Sequence, residues 1–427
     1  MKILFATMPF DGHFNPLTGI AVHLKESGHD VRWYAGPSYA KKLERMGIPY
    51  FPFKCATEVN GDNIGELFPE RAKLKGMALI RFEGKHIFVS NVLQHFEDVR
   101  EVNEIFPFDI LFCDVAFYAM KFVKEKLGKC VYAVEVGPSA ESASDVPPAF
   151  SGLKPATNAV TRLGHQLMGA VMDKLVMGEV KDICNGMLRE QGLAPIAGSF
   201  LDVPYRSPDL IFQNGVPGFA YPRRNPNPKV KFVGALLPYK AAIAQPFAQA
   251  DKLSKFERVI LISQGTVDNK DPNKLIAPAL EALKDSGALL IVTTGHSKTE
   301  ELRKAYPQDN IVIEDFVDFD FILDHVDVFI CNGGYGSVLL SHGVPLLTAG
   351  IREGKNDVNA HVDYCGVGID LRTENPKPAD IRRGVERLLS EPQWKENVSR
   401  LRDEFSRYHP YELIDAYLAK EQPCPIA

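Results

Sequence analysis

The chain has 427 residues, more than one ordinary hydrophobic core accommodates, so two domains of similar size are expected. Its 45% hydrophobic and 24% charged content suits a globular protein in water, and a net charge of -5 over this length offers no general basic surface to nucleic acid or anionic membrane. No apolar run approaches the roughly 20 residues of a membrane span. The apolar start, residues 1–9, is too short for a secretory leader and lacks a small-residue cleavage pattern. A cytoplasmic protein is the expectation. The cysteines (Cys55, Cys113, Cys130, Cys184, Cys331, Cys365 and Cys424) form no CxxC pair and no metal-like spacing, so free thiols are expected rather than zinc or disulfides.

In chain order, residues 2–6 read as a buried strand, 16–27 as a helix stopped by Gly28, 30–35 as a strand and 39–46 as a helix ended by Gly47. Strands at 109–113 and 129–134 follow, separated by a helix. Repeated strand–helix units build a mostly parallel sheet covered by helices, with ligands beyond the carboxyl ends of the strands. Two long stretches, 57–100 and 139–200, break this rhythm. They are helical in pattern and rich in Phe, Met and Leu, a composition that suits either core or the wall of a substrate cleft. From 214 to 238 the chain is rich in Pro, Gly and Asn and reads as an extended linker, about 214–250 in all. It would separate an N-terminal domain, 1–237, from a C-terminal domain, 251–427. The alternation resumes with strand 258–262, helix 273–286 and strands 288–293, 311–313, 328–331 and 345–349. The segment 393–421 is helical in pattern and is free to pack back on the N-terminal domain. The expected fold class is α/β, with two doubly wound halves.

The strongest motif follows the strand at 328–331. Asn332-Gly333-Gly334-Tyr335-Gly336-Ser337 places three glycines within four residues ahead of an apolar helical stretch. Glycines let a ligand approach the backbone, and the N–H groups opening a helix favour an anion, so a phosphate or pyrophosphate is the expected guest. Ser263-Gln264-Gly265-Thr266 repeats the design after the strand at 258–262, and the two turns could grip one diphosphate. Glu353, Lys355, Asn356, Asp357 and Asn359 form a polar run, suited to sugar hydroxyls or simply to solvent. In the first half, Gly12-His13-Phe14-Asn15-Pro16 directly follows a strand, with Asn15 as cap and Pro16 in the first helical turn. His13 then stands on a turn at the mouth of the sheet, where a neutral imidazole can accept a proton. Asp114 ends another strand and could orient that imidazole; a plain helix cap has the same spacing.

These residues carry a resemblance. Gly12-His13 with Pro16, the strand ending in Asp114, Val233-Gly234 to Pro238, and Ser263-x-Gly265-Thr266 make its first part. The segment from Asp327 through Gly343-Val344-Pro345 and Asn359-Ala360 to Gly368 completes it. Together they resemble the inverting, nucleotide-sugar-dependent glycosyltransferases of the GT-B fold, the UDP-glycosyltransferase and macrolide glycosyltransferase family, over nearly the whole chain. The resemblance implies two Rossmann-like domains facing a central cleft. It further implies transfer of a sugar from a UDP- or TDP-sugar to a hydroxyl of a hydrophobic small molecule, with no cofactor beyond the nucleotide-sugar co-substrate. His13 would be the general base, oriented by Asp114. The Ser263/Thr266 turn and residues 332–337 would hold the diphosphate, with the nucleotide base near Phe316-Val317. No metal is implied, and no clustered Asp-x-Asp suited to one is expected.

Three departures from the family pattern stand out. Asn332 replaces a histidine, Leu340 an acidic residue that binds ribose, and Lys355-Asn356 an Asp-Gln pair that reads sugar hydroxyls. Glu353 would then take over as hydroxyl acceptor, with Lys355 paired to it or turned toward phosphate. Two other functions stay open: a nucleotide-sugar 2-epimerase in the same cleft, and a non-catalytic partner of such an enzyme.

Overall fold

The computed structural model describes residues 1–240, 247–265, 270–336 and 343–420. Seven apolar segments form the first sheet: β1 (Lys2–Ala6), β2 (Asp30–Ala35), β3 (Tyr50–Pro52), β4 (Ile110–Asp114), β5 (Cys130–Glu135), β6 (Leu210–Asn214) and β7 (Val230–Gly234). They are ordered β3-β2-β1-β4-β5-β6-β7, with every pairing parallel. Six more build the second sheet: β8 (Val259–Ser263), β9 (Leu289–Thr293), β10 (Ile311–Glu314), β11 (Val328–Cys331), β12 (Leu346–Thr348) and β13 (Gly368–Asp370). Their order is β10-β9-β8-β11-β12-β13, again parallel throughout. Both orders double back beside the first strand of their half, which opens a crevice at the carboxyl ends where the winding reverses.

Helices cover both faces of each sheet, so the central strands β4, β5, β6, β8 and β9 are buried at every position. Separate apolar cores flank the sheets. One groups Leu4, Phe96, Leu111 and Phe122, and another Ile262, Leu280, Leu290 and Ile330. The last helix, Pro410–Lys420, lies on the N-terminal sheet: Ile414 and Leu418 join the core of Phe5, Trp33 and Phe212. Asp415 meets His23 Nε2 at 2.8 Å.

Several elements differ from expectation. The helix expected from residue 16 starts at Asp11, so His13 lies in its first turn and Pro16 inside it. Proline is tolerated there because it forfeits only the bond to the Gly12 carbonyl, near the open end of the helix. Asn15 therefore caps nothing. Within the stretch read as linker, 230–234 is a strand; it sits at the sheet edge, where only one neighbour is needed to fix it. Among the described cysteines, Cys55, Cys113, Cys184, Cys331 and Cys365 are free thiols. No described helix is long and apolar enough to cross a membrane.

Candidate functional site

A cleft of about 2690 Å³ runs between the carboxyl ends of the two sheets. Pockets that hold one drug-sized ligand measure roughly 300–1,000 Å³, so this cleft has room for two substrates. On the N-terminal side it is lined by Phe10, His13, Leu79, Phe88 and Met177, among others, and on the C-terminal side by Ser263, Gly265, Phe316, Val317 and residues 332–336.

Strand register brings His13 and Asp114 together. Ala6 of β1 pairs with Cys113 of β4, so the residues after β1 lie beside Asp114. Asp114, fully buried, accepts from the Met8 N–H at 2.7 Å and the Ala116 N–H at 2.8 Å. Its Oδ1 also lies 2.8 Å from His13 Nδ1. A carboxylate only accepts, so Nδ1 carries the hydrogen, and in the neutral imidazole Nε2 then keeps the lone pair. The turn contact to Ala116 and the contact to His13 coexist on one carboxylate. The rings of Phe10 and Phe88 stand 6.1 and 6.4 Å from the imidazole. The His13 side chain stays 23% exposed, open to the cleft.

Across the cleft, parallel pairing of Cys331 with Ser263 sets the two glycine turns side by side. Asn332 is buried and donates from Nδ2 to the Gln264 carbonyl at 2.5 Å, while its Oδ1 accepts from the Gly334 N–H at 3.3 Å. Gly333 adopts φ +81°, and a β-carbon there would meet Asn359 Oδ1 at 1.8 Å, so no other residue fits. Ser263 Oγ accepts from the Gly265 N–H at 3.3 Å, closing the first turn on itself. Tyr335 donates to the Asn214 carbonyl at the end of β6, 2.7 Å away, and so links the donor-side turn to the other domain. Phe316 is 59% exposed at the cleft wall, its ring edge-on to His296 at 4.7 Å. Thr266, Ser337 and Leu340 lie outside the described residues.

The polar run after β12 divides its tasks. Lys355 opens the helix Lys355–Tyr364 and is 9% exposed, with Nζ 3.0 Å from Glu353 Oε2. Asn356 instead donates to the Phe150 carbonyl at 2.8 Å, turning its amide to the N-terminal domain. Asp357 accepts from the Phe150 N–H at 2.5 Å and the Gly152 N–H at 2.7 Å. The helix start is thus a clamp on segment 148–154, a role that composition did not reveal. Asp318 and Asp320 form an Asp-x-Asp pair beside the cleft, and Lys240 Nζ lies 2.9 and 2.6 Å from them. Among the described residues no group of three His, Cys, Asp or Glu is placed to hold a metal ion.

The Phe- and Met-rich insertions take three roles. Leu79, Phe88 and Met177 line the cleft, Phe96 and Met172 are core, and Leu167, Met168 and Leu175 are exposed on the outer surface. Two cleft residues escaped the sequence reading. Glu374 accepts from the Ile351 and Arg352 N–H groups at 2.6 and 2.8 Å, fixing the loop before Glu353. Glu135 ends β5 as Asp114 ends β4, and a charged residue closing an apolar strand was the available signal.

The chain matches the family model described as Erythromycin biosynthesis protein CIII-like, C-terminal domain, over residues 278–419. It is 33% identical over 407 residues to 4'-demethylrebeccamycin synthase of Lentzea aerocolonigenes, covering 95% of this chain and 96% of that one. UDP-glycosyltransferase 2 of Phaeomoniella chlamydospora is 25% identical over 429 residues, with 97% and 93% covered. Among solved structures, the spinosyn rhamnosyltransferase SpnG complexed with thymidine diphosphate matches the fold with a TM-score of 0.70 at 17% identity, over 98% of this chain and 100% of that one. With two facing Rossmann-like halves and end-to-end likeness to these proteins, the chain belongs to the UDP-glycosyltransferase and macrolide glycosyltransferase family, and it is a glycosyltransferase of the GT-B fold.

Proposed function

We propose that the enzyme is an inverting glycosyltransferase that moves a sugar from a UDP- or TDP-sugar to a hydroxyl of a hydrophobic natural product. The observation that carries this reading is the His13 Nδ1–Asp114 Oδ1 contact of 2.8 Å, open to an apolar pocket on one side and facing two glycine turns on the other. His13 Nε2 takes the acceptor's hydroxyl proton as that oxygen bonds to the anomeric carbon. The bond from that carbon to the diphosphate oxygen breaks on the opposite face, and the nucleoside diphosphate leaves with the electron pair. Asp114 holds the ring and stabilises the imidazolium. Backbone N–H groups at 333–336 stabilise the departing charge.

The names of the relatives support both donor nucleotides: one is a UDP-glycosyltransferase and one was solved with thymidine diphosphate. The apolar wall of Phe10, Leu79, Phe88 and Met177 supports a hydrophobic acceptor. The test is transfer from a panel of UDP- and TDP-sugars to phenolic and terpenoid acceptors, with the anomeric configuration of the product read by NMR. His13→Ala is expected to lower the rate by roughly 10²–10⁴-fold. Unchanged activity in that variant removes the proposed base, and retention of configuration removes the single-displacement step.

A further inference from the structure

Glu135 closes β5 one strand from the proposed base: Asp114 pairs with Val134 across the sheet. Glu135 is among the residues that line the cleft, although it is only 4% exposed. Tyr205 donates its hydroxyl to Oε2 and itself accepts from the Ala140 N–H at 2.7 Å, which aims the phenol proton at Glu135. The Gly137 N–H also favours the charged form. The site is therefore furnished with donors for a carboxylate. Yet among the described residues no Lys, Arg or His forms an ion pair with it. The Arg223 guanidinium, whose field favours the charged form, is engaged with the Glu141 carbonyl at 2.8 Å, the Glu141 carboxylate at 3.8 Å and Ser139 Oγ at 3.4 Å. The neighbouring Asp114 has the same sign. Burial, reinforced by Asp114, pushes the Glu135 carboxyl up to about 8.

A buried carboxylate without a counterion is costly, so Glu135 largely holds its proton near neutral pH, and a cation entering the cleft draws it into the carboxylate form. We propose that Glu135 is a recognition site for a protonated amine carried by one of the two substrates, which supplies the positive charge the protein does not. An ammonium brings three donors and no acceptor, the complement of a carboxylate held by Tyr205. The amine comes either from an amino-substituted sugar on the donor or from a basic nitrogen on the acceptor. This inference rests on the glycosyltransferase reading of the cleft and narrows its substrate class.

Calorimetric titration of the full chain tests it with matched probes. UDP-glucosamine against UDP-glucose addresses the donor, and tyramine against 4-ethylphenol, with and without UDP, addresses the acceptor. Wild type is expected to favour the amine in one pair by roughly tenfold or more, the scale of a hydrogen bond to a charged group. In Glu135→Gln, which keeps shape but not charge, the ratio falls toward one. Preference in the first pair assigns the nitrogen to the donor, in the second to the acceptor. A wild type without preference in either pair overturns the proposal whether or not the variant folds, and so does a Glu135→Gln variant that keeps the preference. Failure of both UDP and TDP to bind would instead defeat the donor-site reading, so the two failures are distinct.

Discussion

The Asn332 side-chain amide donates to the Gln264 carbonyl at 2.5 Å and thereby ties the two glycine turns of the C-terminal domain into one unit. The family's histidine at this place offers a charge. Asparagine offers a neutral strut, and its contribution to the proposed diphosphate site is geometric. Asn332→Ala keeps the backbone and removes the tie. Loss of a hydrogen bond costs about 1–2 kcal/mol, so the dissociation constant for UDP or TDP is expected to rise roughly 5- to 30-fold. Titration calorimetry measures this, and unchanged affinity would show that the turns are held by their strands alone.

Asp114 accepts three hydrogen bonds, from Met8, Ala116 and His13. An asparagine has one acceptor oxygen and would direct an NH₂ group at partners that also donate. Asp114→Asn is therefore expected to lower kcat by roughly 10²–10⁴-fold and to lower the melting temperature as well. The informative comparison is His13→Ala, which removes the proposed base without disturbing Met8 or Ala116. Equal melting temperatures for the two variants would contradict the structural half of this argument.

Glu353 and Lys355 lie 3.0 Å apart on the loop after β12. The Glu353 side chain is 53% exposed toward the cleft, on a backbone with φ +57°, while Lys355 is packed beneath the loop against Gly350. A carboxylate can accept from sugar hydroxyls, whereas an ammonium cannot. Glu353→Ala is expected to lower transfer roughly ten- to a hundredfold, more than Lys355→Ala, which should lower the melting temperature more. Near-equal kinetics in the two variants would end the idea.

Asp357 holds the Phe150 and Gly152 N–H groups, and burial pushes its carboxyl from the ordinary 3.8 up to about 6. Between those values the folded chain keeps a proton that the unfolded chain has lost. Its contribution to stability therefore falls as pH rises from about 4 to about 6 and levels off above. Asp357→Asn does not titrate. The melting temperature of wild type minus that of the variant should decline across this window; parallel curves from pH 4 to 7 would refute the assignment.

Much of the architecture was legible because parallel strands announce themselves. Runs such as 3–6, 110–113 and 288–292 are continuously apolar, since helices cover both faces of the sheets. Edge and terminal positions were less readable. The helix of His13 begins earlier than Pro16 suggests, and β7 sits inside a stretch whose prolines and asparagines read as linker. Both are held by neighbours distant in sequence.

The sequence by itself determined the two parallel halves, the glycine turns, and a histidine and an aspartate each following a strand, because these are local patterns of apolar period and turn chemistry. Only the tertiary structure decided what meets what. Parallel register put Asp114 beside His13 and Asn332 beside Gln264, and packing of the two domains turned Asn356 and Asp357 toward Phe150 rather than toward a sugar. Burial singled out Glu135, whose letter in the sequence is that of any glutamate. Its chemistry follows from a missing counterion, and that depends on every neighbour the fold brings within reach.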